Sequence, residues 1–288
     1  VSPPLAKQKV TGPRPVKEVV VKNNGVGAVV LSGAGLWFSP TAAKTKARKT
    51  KTANSQLIMI TALKPEVALD AYEHMALDEA ILNLSPSDSL VLRFYRWKGP
   101  AVTFGYGQSF QFAAHAASER GFGQAPVVRR ATGGGVVFHD GDVTFSLTFP
   151  WERLSSPCFI YKNIHRGAHM GLKAAGLSNS LWSPKNKEAS ALSEKVCFVG
   201  PEPMDIVYED GTKALGGALR RKGGRGLYQG SLRAGGWGKT AEFLESAISV
   251  GIEKEWGRPA LQDLDPRWLA AAKDIEDKYR SNQWNHRR

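Results

Sequence analysis

The sequence predicts an α+β fold built on a mixed or antiparallel sheet with flanking helices. Three observations predict it. Strand-like segments arrive in runs, and helical patterns are interspersed among them without strict β-α-β alternation. The third is size: 288 residues with 42% hydrophobic content can bury a core without metal or disulfide staples. The composition, with 30 glycines, 16 prolines and two cysteines, excludes a collagenous or disulfide-stapled chain.

From Pro65 to Leu84, the apolar positions Leu69, Tyr72, Met75, Ala76, Ala80, Ile81 and Leu84 recur at helical spacing, and Ser85-Pro86 ends the run. Residues 89–97 have strand composition. Residues 100–108 read as a second strand whose glycines permit a tight turn or a close approach to a ligand. A short helix over 113–121 closes at Gly121. Residues 126–150 then read as strand, glycine loop, strand, Asp140-Gly141 turn and strand. Helical spacing over 158–176 (Ile160, Ile164, Met170, Leu172, Ala175) stops at Gly176. Beyond a polar loop at 185–195 come a hairpin turning at Asp210-Gly211, a strand over 226–234, and helices over 240–250 and 266–280.

The net charge of +13 is unevenly spread: residues 1–55 carry +9 and the remainder +4. This first stretch is Pro-rich, then Gly-rich, then a Lys/Thr/Ala run at 41–55. It has too few regularly spaced apolar residues to bury a face, so it is expected to be a disordered basic extension, dispensable for folding. Residues 19–21 and 28–38 are short apolar exceptions, and no Arg-rich amphipathic helix marks an organellar leader. A basic chain attracts phosphates, yet no recognition-helix, zinc-finger or RNA-binding signature accompanies the charge, so no nucleic-acid partner is expected. No run of 18 apolar residues exists, so no membrane partner is expected either. Two cysteines outside any CxxC pair fit a reducing compartment, with a cytoplasmic location expected and no metal site.

The most informative segment is Arg129-Arg130-Ala131-Thr132-Gly133-Gly134-Gly135-Val136-Val137-Phe138-His139-Asp140. Three glycines between strands let backbone N–H groups approach a ligand, and two arginines add positive charge, which suits an anionic or carbonyl-bearing ligand. Further on, Cys197 precedes a hairpin that places Lys213 just past its turn, on a strand leading into Gly216-Gly217. A lysine ammonium beside a cysteine favours the nucleophilic thiolate. Spacing alone is equally compatible with a packed cysteine and a solvated lysine.

Together with MALDEAIL at 75–82, the arginine-glycine-histidine segment and the Lys213 hairpin resemble the lipoate–protein ligase/octanoyltransferase superfamily, which also holds the biotin protein ligases. Residues 93–108, 196–232 and 283–288 look most like its LipM-type octanoyl-carrier-protein:protein octanoyltransferases. The resemblance runs from about residue 66 to the end of the sequence. It implies one biotin/lipoate protein ligase-like catalytic domain over 56–288, with an acyl tunnel and no accessory C-terminal domain. It also implies acyl transfer from octanoyl-acyl carrier protein, through a cysteine thioester, to a lysine of an apo lipoyl domain such as a glycine-cleavage H protein or a 2-oxoacid dehydrogenase E2. On this resemblance Cys197 is the acyl-accepting cysteine and Lys213 the active-site lysine. Arg130, Gly133, Gly134, Gly135 and His139 line the acyl pocket, and backbone N–H groups of the glycine segments, Gly216 and Gly217 included, hold the oxyanion with Lys213. Cys158 matches no motif position and is expected to pack. Either neutral Lys213 or His139 takes the proton from the acceptor amine.

No cofactor is implied. ATP and Mg²⁺ enter only under the alternative of an ATP-dependent lipoate–protein ligase, and a third reading is an amidotransferase between lipoyl carrier proteins. Gly216-Gly217-Ala218-Leu219 departs from the Gly-Ser-Ala-Gln common in the family. The basic run at 219–225 is dense enough to dock an acidic carrier protein, and equally compatible with a solvated loop.

Overall fold

In the computed structural model, which describes residues 59–63, 68–151, 156–183 and 200–287, helix α1 (Ala71–Leu84) begins six residues later than its apolar spacing predicts. The reason is a cap. Asp70 is extended and accepts from the Tyr72 and Glu73 N–H groups, while Glu73 accepts from the Asp70 N–H at 2.7 Å. The other described elements are β1 (Met59–Leu63), β2 (Ser89–Phe94), β3 (Ala101–Phe104), α2 (Phe110–Glu119), β4 (Val127–Arg129), β5 (Val137–His139), β6 (Val143–Pro150) and α3 (Pro157–Ala174). They continue with β7 (Ser180–Leu181), β8 (Ile206–Val207), β9 (Lys213–Lys222), β10 (Arg225–Leu232), α4 (Ala241–Trp256), β11 (Ala260–Gln262), α5 (Pro266–Arg280) and α6 (Asn282–Asn285). The predicted extension over 1–55, the polar loop at 185–195 and Cys197 lie outside the described residues.

Eight strands form a mixed sheet in the order β11-β1-β2-β6-β10-β9-β8-β7, parallel across β11, β1 and β2 and antiparallel from β2 onward. A second sheet, β4-β3-β5, carries the arginine-glycine loop between β4 and β5. This is the α+β arrangement that the runs of strands predict.

The period of two along β2 sorts the core. Leu90 and Leu92 join Phe145, Leu147 and Phe149 of β6 under α3 and α4, while Val91 joins the apolar residues of α1 and α5 on the other face. Helices α3 and α4 touch through glycines: a Cβ on Gly171 would run into the Ala247 carbonyl, and one on Gly251 into that of Gly167. Leu84 and Met170, both in the helical apolar patterns, are exposed instead. Cys158, expected to pack, is also exposed, because it sits in the first turn of α3 ahead of the inward-facing Ile160.

Beneath α1 the sheet presents polar groups. The Asp78 carboxylate, 1% exposed, accepts from Arg93 Nη1 at 2.7 Å, Ser146 Oγ at 2.8 Å, Gln229 Nε2 at 2.7 Å and the Tyr95 hydroxyl. Arg93 Nη2 also donates to His74 Nδ1 at 2.6 Å. Burial, reinforced by the Arg93 charge, holds His74 well below the usual imidazole range. Gln229 passes the network outward: its Oε1 accepts from Thr132 Oγ1 at 2.6 Å, tying α1 to the glycine loop. A fully hydrogen-bonded buried network fixes where that loop sits.

Candidate active site

The hairpin that carries Lys213 is set by its turn. Asp210 Oδ1 accepts from the Thr212 N–H at 2.8 Å, and Gly211 takes φ +81°, a conformation that favours glycine. Ile206 faces Leu215 while Val207 faces Lys213, so β9 holds one extra residue there. Such a bulge re-aims the side chain beside it. Lys213 accordingly lies over Gly216, where a Cβ would collide with its Cε and Nζ.

Lys213 Nζ sits 2.7 Å from Asp205 Oδ2, with the two side chains 6% and 0% exposed. Asp205 is fixed in turn: Tyr161 donates to its Oδ1 at 2.5 Å, and the Glu202 N–H to its Oδ2 at 2.7 Å. The turn that delivers it contains Met204 at φ +73°, a strained conformation for a non-glycine residue. Burial, with the nearby Asp205 charge, pushes the Tyr161 phenol well above its ordinary range, so it stays a donor. Lys213 is therefore held as one half of a buried ion pair.

Next to Lys213, a cleft with about 450 Å³ of space between its walls, open mouth included, runs past Met75, Trp97, Arg130, His139, Gly216 and Gly217. Thr103 and Ser231 also face it. Arg130 is 5% exposed. It donates to Thr103 Oγ1 at 2.8 Å and, through Nη2, to the Gly133 and Gly135 carbonyls at 2.9 and 2.8 Å. His139 stacks on Trp97 with ring centroids 4.3 Å apart. Its Nδ1 meets Asp142 Oδ2 at 3.0 Å and its Nε2 meets Thr103 Oγ1 at 2.8 Å. Burial works against the Asp142 carboxylate, yet the His139 charge and bonds from His139, Ser231 and Thr144 outweigh it and hold its carboxyl below the ordinary range.

Thus Arg130, His139, Gly216 and Gly217 converge on one cleft beside Lys213. Gly133, Gly134 and Gly135 stand behind it and shape it. Gly134 takes φ +86°, and a Cβ on Gly105 would strike its carbonyl, so the loop and the end of β3 meet backbone to backbone. Of the N–H groups expected to hold an oxyanion, that of Gly133 lies 3.5 Å from the Leu219 carbonyl and that of Gly217 donates to the Tyr161 hydroxyl at 3.1 Å. Both His139 nitrogens are hydrogen-bonded as well. The departure at Gly217 also has a reason: a Cβ there would collide with the Tyr228 ring, so the family's serine has no room.

Asp205 and Tyr161 were invisible to motif reading, although one signal pointed to the first. Asp205 is a carboxylate just before the first strand of the predicted hairpin, which faces the strand that carries Lys213. Behind them, His165 bonds the Tyr228 hydroxyl at 2.8 Å and stacks on Tyr161 at 4.0 Å. Burial lowers its pKa from 6.5 to about 4, with Lys213 adding to the shift and Asp205 opposing it. Native His165 thus stays neutral where the unfolded chain takes up a proton, and stability falls as pH drops from 6.5 to 4 by about 3 kcal/mol. Denaturant unfolding across that window should show a shallower decline in His165→Gln. An unchanged slope would remove His165 as the cause.

Among the described residues, no helix is long and apolar enough to cross a membrane, and no cluster of three His, Cys, Asp or Glu side chains could hold a metal ion. The model of the lipoyl protein ligase A/B catalytic domain matches residues 70–242. Octanoyltransferase LipM of Staphylococcus epidermidis is 28% identical over 267 residues, 75% of this chain and 95% of that protein. Octanoyltransferase LipM of Halalkalibacterium halodurans is 35% identical over 173 residues, 57% of this chain and 62% of that protein. A solved lipoate-protein ligase A bound with ATP has a TM-score of 0.64 at 19% identity, covering 80% of this chain and 99% of that one, which is a likeness of fold.

Proposed function

The chain belongs to the lipoyl protein ligase A/B catalytic domain family, and from that premise we propose that it is an octanoyltransferase of protein lipoylation, acting through a cysteine thioester. The observation that carries this reading is the alignment with an octanoyltransferase over 95% of that relative's length, in a chain whose cleft is lined by Gly216, over which an ion-paired lysine lies. The cleft suits an acyl chain, since Met75, Tyr95, Trp97, Val137 and Ala218 supply apolar wall, at about 0.8 kcal/mol per buried methylene.

The reaction runs in two balanced steps. Cys197 Sγ, as thiolate, attacks the octanoyl thioester of a carrier protein; the new C–S bond forms, the old one breaks, and the departing pantetheine thiolate takes up a proton. The lysine amine of an apo lipoyl domain then attacks the octanoyl-enzyme. A C–N bond forms, the C–Sγ bond breaks, and the proton lost by the amine returns Cys197 to its thiol. Lys213, held by Asp205, stabilises the negative oxygen of both tetrahedral intermediates. No ATP is consumed, because both steps start from a thioester.

Intact-mass spectrometry tests this directly. Incubation with octanoyl-acyl carrier protein and no ATP should yield an octanoyl adduct that is lost when an apo lipoyl domain is added. Transfer only from free octanoate or lipoate plus ATP would make the chain a ligase. An octanoylated H protein as the preferred donor would make it an amidotransferase.

A further inference from the structure

Two arginines outside the machinery above meet over one tyrosine ring, one of them two residues along β9 from Ala218 of the cleft wall. Tyr106 follows Gly105, which packs against Gly134, and the Tyr106 N–H donates to the Thr132 carbonyl at 2.8 Å. This places the Tyr106 ring beside β9. The Arg220 guanidinium carbon lies 4.7 Å from that ring's centroid and the Arg287 guanidinium carbon 4.2 Å from it. Arg287 also donates to the Tyr106 hydroxyl. Neither guanidinium is paired with a carboxylate among the described residues, and the Arg287 charge helps depress the pKa of buried Arg129, whose largest cause is burial. Two cations gathered on one aromatic ring beside a cleft invite an anion.

Strand geometry sets how far that anion lies from the chemistry. Gly216, Ala218 and Arg220 share one face of β9, and Lys213 lies over Gly216. Four residues at about 3.4 Å each put the arginine pair roughly 14 Å from the lysine end of the cleft. The phosphopantetheine arm of a carrier protein has roughly thirteen bonds between phosphorus and sulfur, which at ~1.2 Å per bond extend to about 16 Å. The two lengths agree. We infer that Arg220 and Arg287, gathered on Tyr106, form a phosphate site that holds the phosphodiester of the donor's phosphopantetheine while its thioester reaches Lys213. This rests on the octanoyltransferase reading and names the part of the donor that the enzyme grips.

Calorimetric titration with free phosphopantetheine and with pantetheine measures the site without turnover. The protein should bind the phosphorylated arm about tenfold tighter or more, and the Arg220→Gln/Arg287→Gln double variant should bring the ratio close to one. The same ratio should govern kcat/KM for octanoyl-phosphopantetheine against octanoyl-pantetheine. Inorganic phosphate should compete with phosphopantetheine but not with pantetheine on the unaltered protein, which gives an answer even where the double variant does not fold. Equal affinity for the two arms, a preference that survives in a folded double variant, or tighter competition by ATP than by phosphopantetheine would overturn the assignment. A phosphate preference without any octanoyl transfer would leave the site standing and remove the octanoyltransferase reading. Transfer that ignores the phosphate would do the reverse.

Discussion

Cys197→Ser lowers octanoyl transfer by about a thousandfold or more and removes the octanoyl adduct. A thiol of pKa near 8.5 already supplies some thiolate at neutral pH. A serine hydroxyl supplies almost none without a base held against it. Lys213 Nζ is already paired with Asp205. The variant is therefore expected to bind its donor and stop there. Cys158→Ser is the control: its exposed thiol in the first turn of α3 takes no part, so the rate should stay within about twofold. Stopped-assay rates of lipoyl-domain octanoylation decide between the outcomes. Transfer by Cys197→Ser within tenfold of the parent would show that the thioester route is wrong.

The parts of this fold that were legible are those whose signals are local. The Asp210-Gly211 turn announced the β8–β9 hairpin, because only a short loop with a left-handed glycine closes it there. Gly176, at φ +80°, marks the end of α3. Helix α1 was misplaced at its start because apolar spacing was followed past Asp70, although Asp70 and Glu73 spell a capping box in the sequence itself. Strands β1 and β11 escaped because each is short, and β11, exposed at all three positions, shows no alternation. The buried network of Asp78, Arg93, His74 and Gln229 escaped for a deeper reason. Asp78 and His74 lie on the inward stripe of α1, where a periodicity argument expects apolar residues, and their partners come from strands that are remote in sequence. Candidate site residues were legible as motifs, but their supports were not. Nothing local to Lys213 says that Tyr161, from a helix far upstream, holds the carboxylate that holds the lysine.

The Lys213–Asp205 pair yields the second large effect, and a double variant separates its two roles. Lys213→Ala leaves the Asp205 carboxylate buried beside Tyr161 with its counter-charge gone, which costs about 3–5 kcal/mol of stability. It also removes the group facing the developing oxyanion, worth about a hundredfold to a thousandfold in kcat. Asp205→Asn costs stability in the same way, since the Lys213 ammonium then loses its buried carboxylate, and it lowers kcat by loosening the lysine. In Lys213→Met/Asp205→Asn neither charge is stranded: the Asn oxygen still accepts from Tyr161, its amide loses only the bond from the Glu202 N–H, and the methionine fills much of the lysine's volume. Chemical denaturation should therefore show most of the lost stability restored in the double variant. Turnover should stay as low as in Lys213→Ala, because the proposed oxyanion donor is still missing. A double variant that regained both stability and turnover would reduce Lys213 to half of a structural ion pair, and the oxyanion would then need another donor.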